Sequence, residues 1–291
     1  MKRILNYPGS KWSMANWIID HMPSHDVYLE PFFGSGAVFF NKPKKVVETI
    51  NDIDKRLVNL FKQMRDNPNE LAQIVNYTLY SRSEYELSSE QSSDEIEDAR
   101  RMLVRCWMAI GGKTNSQVGW RRNVSENGPY NTYEWHDMKN RIFDAADRLK
   151  DAQIECKDAI QLIHEYNRPN VLIYADPPYV HSTRKSKHYE NEFSDEKHIE
   201  LLNTLKLHQG PVLLSGYDSE IYQKHLEGWN SKTFEIKTGF TGEKRKTAVE
   251  VLWMNQKAFE GTNQLNLFEI SYCIVRPKSD EIDTKSDLSR C

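Results

Sequence analysis

Apolar and polar positions along the chain form two patterns: short apolar runs and stripes at helical spacing. The clearest run is Val171-Leu172-Ile173-Tyr174, which is typical of a strand covered on both faces. It ends before Pro177-Pro178, because each proline removes a backbone donor and fixes φ. Asp176 is therefore predicted at the end of a central strand, where open α/β sheets bind ligands.

The remaining runs and stripes predict an α/β fold with a mostly parallel sheet. We predict further strands at 27–30, 46–50, 153–156, 211–215, 233–237 and 249–253, the last two as a closing antiparallel pair. We predict helices at 12–22, 55–80, 134–150 and 195–207. Residues 81–99 are polar and predict a surface loop with a short helix, whereas 111–130 are rich in Gly, Asn and Ser and favour a hairpin or long loop.

Composition narrows the class of protein. The chain has 291 residues with 38% hydrophobic residues, enough for a packed core, and its net charge of -3 gives no global field that favours DNA. The four cysteines have no paired spacing, so neither a zinc site nor a disulfide framework is expected, which fits a reducing cytoplasm. Apolar runs approaching about 20 residues are absent from the sequence, so we expect no membrane span.

Asp176-Pro177-Pro178-Tyr179 has a chemistry that follows from its parts. The Asp176 carboxylate and the Pro177 carbonyl are two neighbouring acceptors, which suit an amino group with two hydrogens to donate. Tyr179 offers a flat face on which a base can stack. The simpler interpretation is a turn that ends a strand, with Asp176 on the surface.

The Asp-Pro-Pro-Tyr motif after an apolar strand resembles the catalytic signature of amino-group methyltransferases. The chain as a whole, over about residues 5 to 255, resembles the Dam-type DNA adenine methyltransferases. The resemblance implies a Rossmann-like sheet that uses S-adenosylmethionine and no metal, with an inserted, mainly helical target-recognition domain and a β-hairpin. It also implies catalytic roles for Asp176, Pro177, Pro178 and Tyr179.

The resemblance extends to two earlier motifs that imply a cofactor site. Tyr7 and Lys11 match the opening segment of the family, and Glu30-Pro31-Phe32-Phe33-Gly34-Ser35-Gly36 matches its glycine loop. Phe39 stands where a third glycine would complete a dinucleotide fingerprint, so no pyrophosphate grip is indicated. The resemblance implies that the following residues bind the cofactor: Tyr7, Lys11, Glu30, Gly34, Gly36, Asp52, Asp158 and Asp176.

The spacing of Asp52 from the glycine loop predicts, without the resemblance, that it binds the ribose of a nucleoside cofactor. An acid at the end of the second strand, about 20 residues past a glycine loop, is placed to accept from ribose hydroxyls. The simpler interpretation is that Asp52 caps the next helix, and both roles could hold at once.

Arg100 to Asn123 contains six basic residues and no acidic residue. We predict a local positive surface that contacts phosphate; the alternative is a solvated helix face with a loop. A second basic stretch, His181 to His188, follows the catalytic motif and could close over the site or remain a surface loop. The predicted DNA-binding residues are Lys113, Arg121, Arg122, Arg184 and Lys185.

These observations divide the chain into a catalytic domain at 1–60 and 150–257, a target-recognition domain at 61–149 and a tail at 258–291. The predicted activity is methyl transfer to the exocyclic amine of adenine in double-stranded DNA. Alternatives are a cytosine amine, an RNA adenine, a protein glutamine, a DNA-binding module without catalysis, or an interaction protein with this fold. The sequence leaves the recognition site, a restriction partner and the oligomeric state open.

The tail contains one short apolar motif. Gln264, Leu265, Leu267 and Phe268 resemble the pentapeptide by which bacterial DNA-processing proteins dock on the replicative sliding clamp. The alternative is an arm that folds back on the catalytic domain.

Overall fold

A parallel sheet closed by an antiparallel hairpin organises the structure, a computed structural model that describes residues 1–112, 114, 118–124, 131–180, 193–238 and 246–262. Within these residues the strands are β1 (Val27–Glu30), β2 (Val47–Asn51), β3 (Ala152–Glu155), β4 (Val171–Ala175), β5 (Val212–Gly216), β6 (Asn230–Thr238) and β7 (Lys246–Met254). Their order is β3-β2-β1-β4-β5-β7-β6, with β7 antiparallel to both of its neighbours. The predicted α/β class, the parallel core and the closing pair are confirmed.

Helices cover both faces of the sheet. They are α1 (Ala15–Asp20), α2 (Ala37–Asn41), α3 (Lys55–Asp66), α4 (Pro68–Tyr77), α5 (Arg82–Leu87), α6 (Glu95–Met108), α7 (Asn131–His136), α8 (Met138–Leu149), α9 (Ala159–Glu165), α10 (Asp195–Lys206) and α11 (Glu220–His225). A further helix covers residues 256–262. No helix in the described ranges is long and apolar enough to cross a membrane.

The apolar run of β4 is continuous because its two faces pack against different cores. Leu172 and Tyr174 belong to the core shared with the helices of residues 55–149. Val171, Ile173 and Ala175 belong to the core shared with α9 and α10. Every residue of β4 is buried. Asp176 is the first residue after the strand and therefore lies at the edge of the two cores.

Local sequence fixes the helices of the 55–149 region. Asp54 caps α3 by accepting from the amides of Arg56 and Leu57, and Pro68 begins α4. The predicted stripe of Leu57, Leu60, Phe61 and Met64 is buried, as expected, although the predicted helix at 55–80 is divided in two at Asn67. The division of the chain into catalytic and target-recognition domains stays a prediction.

The N-terminal segment joins this helical region to the sheet. The Trp107 indole donates to the carbonyl of Ile4 at 3.0 Å, and Arg141 Nη1 donates to the carbonyl of Arg3 at 2.8 Å. These bonds hold the residues that lead into Tyr7 against α6 and α8.

The prediction of one positive surface over Arg100 to Asn123 is wrong for its first half. Arg100 is buried and paired with Glu84 and Glu97, and Arg101 also pairs with Glu97. Arg105 is buried with its guanidinium over the Tyr85 ring. These three charges are therefore neutralised or enclosed within the helical layer instead of facing phosphate.

Several predicted residues lie outside the described part of the chain. They are Lys113, Arg184, Lys185, Gln264, Leu265, Leu267 and Phe268.

Candidate active site

A cavity of about 250 Å³ lies at the carboxyl ends of the parallel strands. Strand β1 pairs with β2 on one side and with β4 on the other. The strand order therefore reverses at β1, and the cavity lies at this point of the sheet. This is the position at which α/β sheets bind ligands. Its walls are formed by Tyr7 to Lys11, Glu30 to Ser35, Ala37, Val38, Asn51 to Asp54, Thr114, Lys157 to Ala159, Tyr174, Asp176 to Tyr179, Phe193 and Lys197.

The cavity brings nearly all the predicted catalytic and cofactor residues together. Tyr7, Lys11, Glu30, Gly34, Asp52, Asp158 and the four residues 176–179 line it. Gly36 is not among the lining residues; it is the left-handed N-cap of α2.

Lys11 connects two residues of the Asp-Pro-Pro-Tyr motif. Its Nζ lies 2.8 Å from Asp176 Oδ1, donates to the Tyr179 hydroxyl at 2.8 Å, and donates to the Gly9 carbonyl at 2.9 Å. Lys11 is 4% exposed, whereas the side chain of Asp176 is 19% exposed. The carboxylate is therefore fixed on one side and open to the cavity on the other.

Burial and charge act in opposite directions on this pair. Burial raises the pKa of Asp176 to about 6, although the Lys11 ammonium opposes the rise. Burial also opposes a charge on Lys11, but the carboxylates of Asp176 and Glu250 raise its pKa above the usual range. At neutral pH the pair is an ammonium and a carboxylate.

The glycine loop requires both of its glycines. Gly34 and Gly36 have φ angles of 48° and 65°, in the left-handed region that favours glycine. A side chain at Gly36 would come within 2.4 Å of the Phe33 ring. The loop therefore brings backbone close to the cavity, as the glycine pattern predicted.

Asp52 holds the same loop from the end of β2. Its Oδ2 accepts from the Gly34 amide at 2.9 Å, and its Oδ1 accepts from the Asp54 amide at 3.0 Å. The cap of α3 is Asp54, so the cap interpretation of Asp52 is wrong. Burial raises the pKa of Asp52 to about 6, and its carboxylate lines the cavity.

Glu30 is a buried carboxyl at the end of β1. It is 2% exposed and accepts from the Tyr28 hydroxyl at 2.7 Å. Burial, with a smaller contribution from the Asp176 charge, raises its pKa to about 8. A cation bound beside Glu30 would favour the ionised form.

Asp158 lies at the opposite end of the cavity from the Asp176 motif along the sheet, after β3. It caps α9 by accepting from the amides of Ile160 and Gln161. Asn51 ties this region to the glycine loop, because its amide donates to the carbonyls of Pro31 and Lys157.

Sequence reasoning missed a buried acid behind the motif. Glu250 on β7 is 3% exposed, and its Oε1 accepts from the Tyr179 hydroxyl at 2.6 Å. Tyr217, also missed, stacks on Tyr179 with ring centroids 4.2 Å apart. The available signal was a single acid inside the apolar strand Val249-Glu250-Val251-Leu252.

The described DNA-binding candidates lie beside the end of α6. The Arg121 amide donates to the Met108 carbonyl at 2.7 Å, and its carbonyl accepts from the Tyr80 hydroxyl at 2.5 Å. Arg122 is exposed. Thr114, which precedes them in the chain, lines the same cavity as the Asp-Pro-Pro-Tyr motif.

The donor set fits a cationic nucleoside cofactor without a diphosphate. The buried carboxyl of Glu30 lies at the end of β1, and Asp52 lies after β2 beside the glycine loop. Aromatic and apolar residues also line the cavity: Phe32, Ile53 and Phe193. The seven-stranded, mostly parallel sheet with this site at its carboxyl edge is consistent with the class of methyltransferases that have a Rossmann-like sheet.

Comparison with known proteins identifies the family within that class. Residues 7–239 match the family described as D12 class N6 adenine-specific DNA methyltransferase. The chain belongs to this family. It is an adenine-specific DNA methyltransferase, and membership implies that it uses S-adenosylmethionine.

Individual relatives agree with this assignment. A type II methyltransferase of Lactococcus lactis subsp. cremoris is 26% identical over 271 residues, covering 81% of this chain and 88% of the relative. A type II methyltransferase of Methanocaldococcus jannaschii is 25% identical and covers 88% and 99%. The DNA adenine methylase of Escherichia coli (strain K12) is 22% identical and covers 86% and 94%.

Proposed function

We propose that Asp176 is the residue that activates the adenine amine for methyl transfer. The observation that carries this proposal is its fixed carboxylate: Lys11 holds Oδ1 at 2.8 Å while the side chain remains 19% exposed beside the cavity. An acceptor fixed before the substrate arrives costs little to reorganise during reaction.

The amine of adenine is a weak nucleophile because its lone pair is delocalised into the ring. Asp176 and the Pro177 carbonyl accept its two hydrogens and draw the nitrogen toward tetrahedral geometry. Tyr179 provides the ring face on which the base stacks. When bound, S-adenosylmethionine supplies a methyl group on a sulfonium, and the electron pair of the broken carbon–sulfur bond stays on sulfur. The methylated nitrogen then loses one proton, with Asp176 or solvent as the acceptor.

We assign cofactor binding to the half of the cavity that lies at the ends of β1 and β2. Glu30 faces the methionine end, because a buried carboxyl pairs with a cation there. Asp52 accepts from the ribose hydroxyls, and the Gly34 backbone lets the cofactor approach. Tyr7, Lys11, Gly36 and Asp158 complete the set assigned to the cofactor.

The substrate is a base in double-stranded DNA, which must leave the helix to reach Asp176. Extrusion costs a few kcal/mol. We assign Arg121 and Arg122 to the DNA surface because they lie on the connection that also supplies Thr114 to the cavity. Lys113, Arg184 and Lys185 remain assigned to DNA on sequence alone.

The experiment that tests this function measures methyl transfer into duplex DNA by Asp176→Ala and Asp176→Asn. Both variants are expected to lose turnover by at least about 100-fold while keeping a normal melting temperature. Asp144→Ala, at an exposed position on α8, is the control and keeps full activity. Near-normal turnover by Asp176→Ala in a folded preparation would overturn the assignment.

We also propose, from the sequence alone, that Gln264, Leu265, Leu267 and Phe268 dock on the bacterial sliding clamp. Two apolar side chains and an amide suit a short linear motif, and docking would raise the enzyme concentration at newly made DNA. A fluorescent peptide of residues 260–270 titrated with clamp tests this. Absence of saturable binding, or equal binding after Leu267→Ala and Phe268→Ala, would contradict it.

A further inference from the structure

We propose that Glu250 is a positioning residue for methyl transfer: it holds the Tyr179 hydroxyl, and through it the Tyr179 ring and the Lys11 ammonium. The inference rests on the proposed function of Asp176 and Tyr179. Glu250 lies beyond residues 7–239, the part of the chain that matches the family.

The first observation is that Glu250 is a buried carboxylate within an otherwise apolar stretch of β7. It is 3% exposed on β7, where Val251 pairs with Gly216 of β5 and Glu250 pairs with Phe234 of β6. The next residues of β7, Val251, Leu252 and Trp253, are buried and apolar. Burying a carboxylate there is costly unless it has a specific partner, and its partner is Tyr179.

The second observation is the direction of the hydrogen bonds. The Lys11 ammonium has only donors, so the Tyr179 oxygen accepts from it at 2.8 Å. The Tyr179 proton is then given to Glu250 Oε1 at 2.6 Å. Without Glu250 this proton loses that acceptor, and the Tyr179 oxygen loses one of the two hydrogen bonds that fix its position.

The arrangement places Lys11 between two carboxylates. Lys11 contacts Asp176 directly and Glu250 through the Tyr179 hydroxyl. Tyr217 packs against the Tyr179 ring with 32° between the ring planes and so restrains the tilt of that ring. Glu250 therefore fixes the rotation of the ring within a stack that Tyr217 provides.

The third observation indicates a role for the charge as well as for the hydrogen bond. Glu250 Oε2 is buried and has no hydrogen-bond partner in the described ranges. A neutral amide would hold Tyr179 equally well with its oxygen, so the second oxygen of a carboxylate is not needed for positioning alone. The negative charge of Glu250 raises the pKa of Asp176, which makes Asp176 a stronger acceptor for the amine.

The variants Glu250→Ala and Glu250→Gln separate these two contributions. Glu250→Ala loses both and is expected to lower kcat by about 100-fold, the cost of a misplacement near 1 Å. Glu250→Gln keeps an acceptor for Tyr179 and is expected to lower kcat by less than about tenfold. Neither variant is expected to change the dissociation constant of S-adenosylmethionine by more than about threefold, because Glu250 does not line the cavity.

The pH profile gives a readout that a purely structural role would not move. The charged groups acting on Asp176 are Lys11 and Glu250. The other titratable groups around them are Glu30, Tyr174, Tyr179, Tyr217 and Tyr222. Removing the Glu250 charge lowers the pKa of Asp176, so the acidic limb of kcat/KM is expected to shift to lower pH in Glu250→Gln. An unshifted limb together with unchanged kcat would overturn the proposal.

Two controls complete the experiment. Glu235→Gln and Glu235→Ala change an exposed acid on the neighbouring strand β6 and are expected to leave kcat and its pH profile unchanged. In a Tyr179→Phe background, Glu250→Ala is expected to lower kcat by no more than Glu250→Gln does in the wild type, because the bond to the Tyr179 hydroxyl is already gone and only the charge remains to be lost; additive losses would contradict the proposal.

The outcomes distinguish this inference from the proposed function. An active Asp176→Ala variant would overturn both. An inactive Asp176→Ala variant combined with wild-type kcat in Glu250→Gln and Glu250→Ala would overturn only the role of Glu250. If Glu250→Ala does not fold, kcat and the pH profile of Glu250→Gln decide the question.

Discussion

The Nζ atom of Lys11 lies 2.8 Å from Oδ1 of Asp176, although Lys11 precedes the first helix and Asp176 follows the fourth strand. The contact joins the N-terminal segment to the Asp-Pro-Pro-Tyr motif. The same segment carries Tyr7 into the cavity and is held by Trp107 and Arg141 of the helical region. These contacts connect the helical region, through the N-terminal segment, to the Asp176 carboxylate.

We expect Lys11→Gln to lower methyl transfer at pH 7.5 by at least about 100-fold. Lys11 lowers the pKa of Asp176, so its loss raises that pKa and moves the acidic limb of kcat/KM to higher pH. In the wild type the limb is expected at about pH 6, with activity lost as pH falls and Asp176 becomes protonated. Lys62→Gln, exposed on α3, is the matched control; an identical pH profile in Lys11→Gln would contradict this account.

Asp52→Ala should weaken S-adenosylmethionine binding by ~1.5–3 kcal/mol, the loss typical of charge-assisted hydrogen bonds. The carboxylate lines the cavity and also holds the Gly34 amide, so both contributions disappear together. Calorimetry measures the change. Asp94→Ala removes the cap of α6, which lies away from the cavity, and should cost about 1 kcal/mol of stability without altering affinity. Unchanged affinity in Asp52→Ala would leave Asp52 a purely structural role.

Cofactor affinity should depend on pH through Glu30. Its raised pKa of about 8 leaves the carboxyl mostly protonated in the free enzyme at pH 7, and a bound cation favours ionisation. Affinity should therefore rise with pH up to about 8, by at most about tenfold per unit, with release of a proton.

The amino group of the cofactor also titrates near pH 8 and acts in the opposite direction. Glu30→Gln separates the two effects, because the variant should lose the rise below pH 8. Calorimetry in buffers of different ionisation enthalpy counts the protons. Equal proton release by the wild type and Glu30→Gln would show that Glu30 does not titrate on binding.

Replacing both Arg121 and Arg122 by alanine should weaken DNA binding while the fold is kept, because Arg121 holds its neighbours through backbone atoms. If both contact phosphate, the salt slope should fall by about 1 per residue with sequence preference unchanged. If one reads guanine, preference at a single position should relax instead.

A double variant at Lys206 and Lys224, exposed on α10 and α11, removes the same charge elsewhere on the protein. It should retain wild-type affinity and salt slope. Equal weakening by both double variants would point to a general charge effect and move the recognition surface away from Arg121 and Arg122.

Motifs built from consecutive residues could be predicted from the sequence. The buried strand before Asp176, the glycine loop and the acid after β2 each combine a local conformation with a chemistry, and the structure places them around one cavity. Glu250 could not be found this way, because its partner Tyr179 is distant in the chain and no spacing links them. The contact depends on β7 pairing beside β5.

The ion pairs of Arg100 and Arg101 with Glu97 could have been predicted from the sequence. Acids three and four residues before basic residues on a helix form ion pairs, and α6 has this spacing. Counting charges over a window from Arg100 excluded Glu97 and gave a positive surface that the fold does not present. Burial of Arg105 over Tyr85 had no such local signal.

The antiparallel direction of β7 determines where the described chain leaves the sheet. Met254 pairs with Leu213 near the start of β5, and the Thr262 hydroxyl donates to the carbonyl of His21 at 2.8 Å. Residue 262 thus lies on the amino-end side of the sheet, about 16 Å or one strand length from the catalytic edge. A protein fused directly after residue 262 would therefore be anchored on the side of the sheet opposite the cavity.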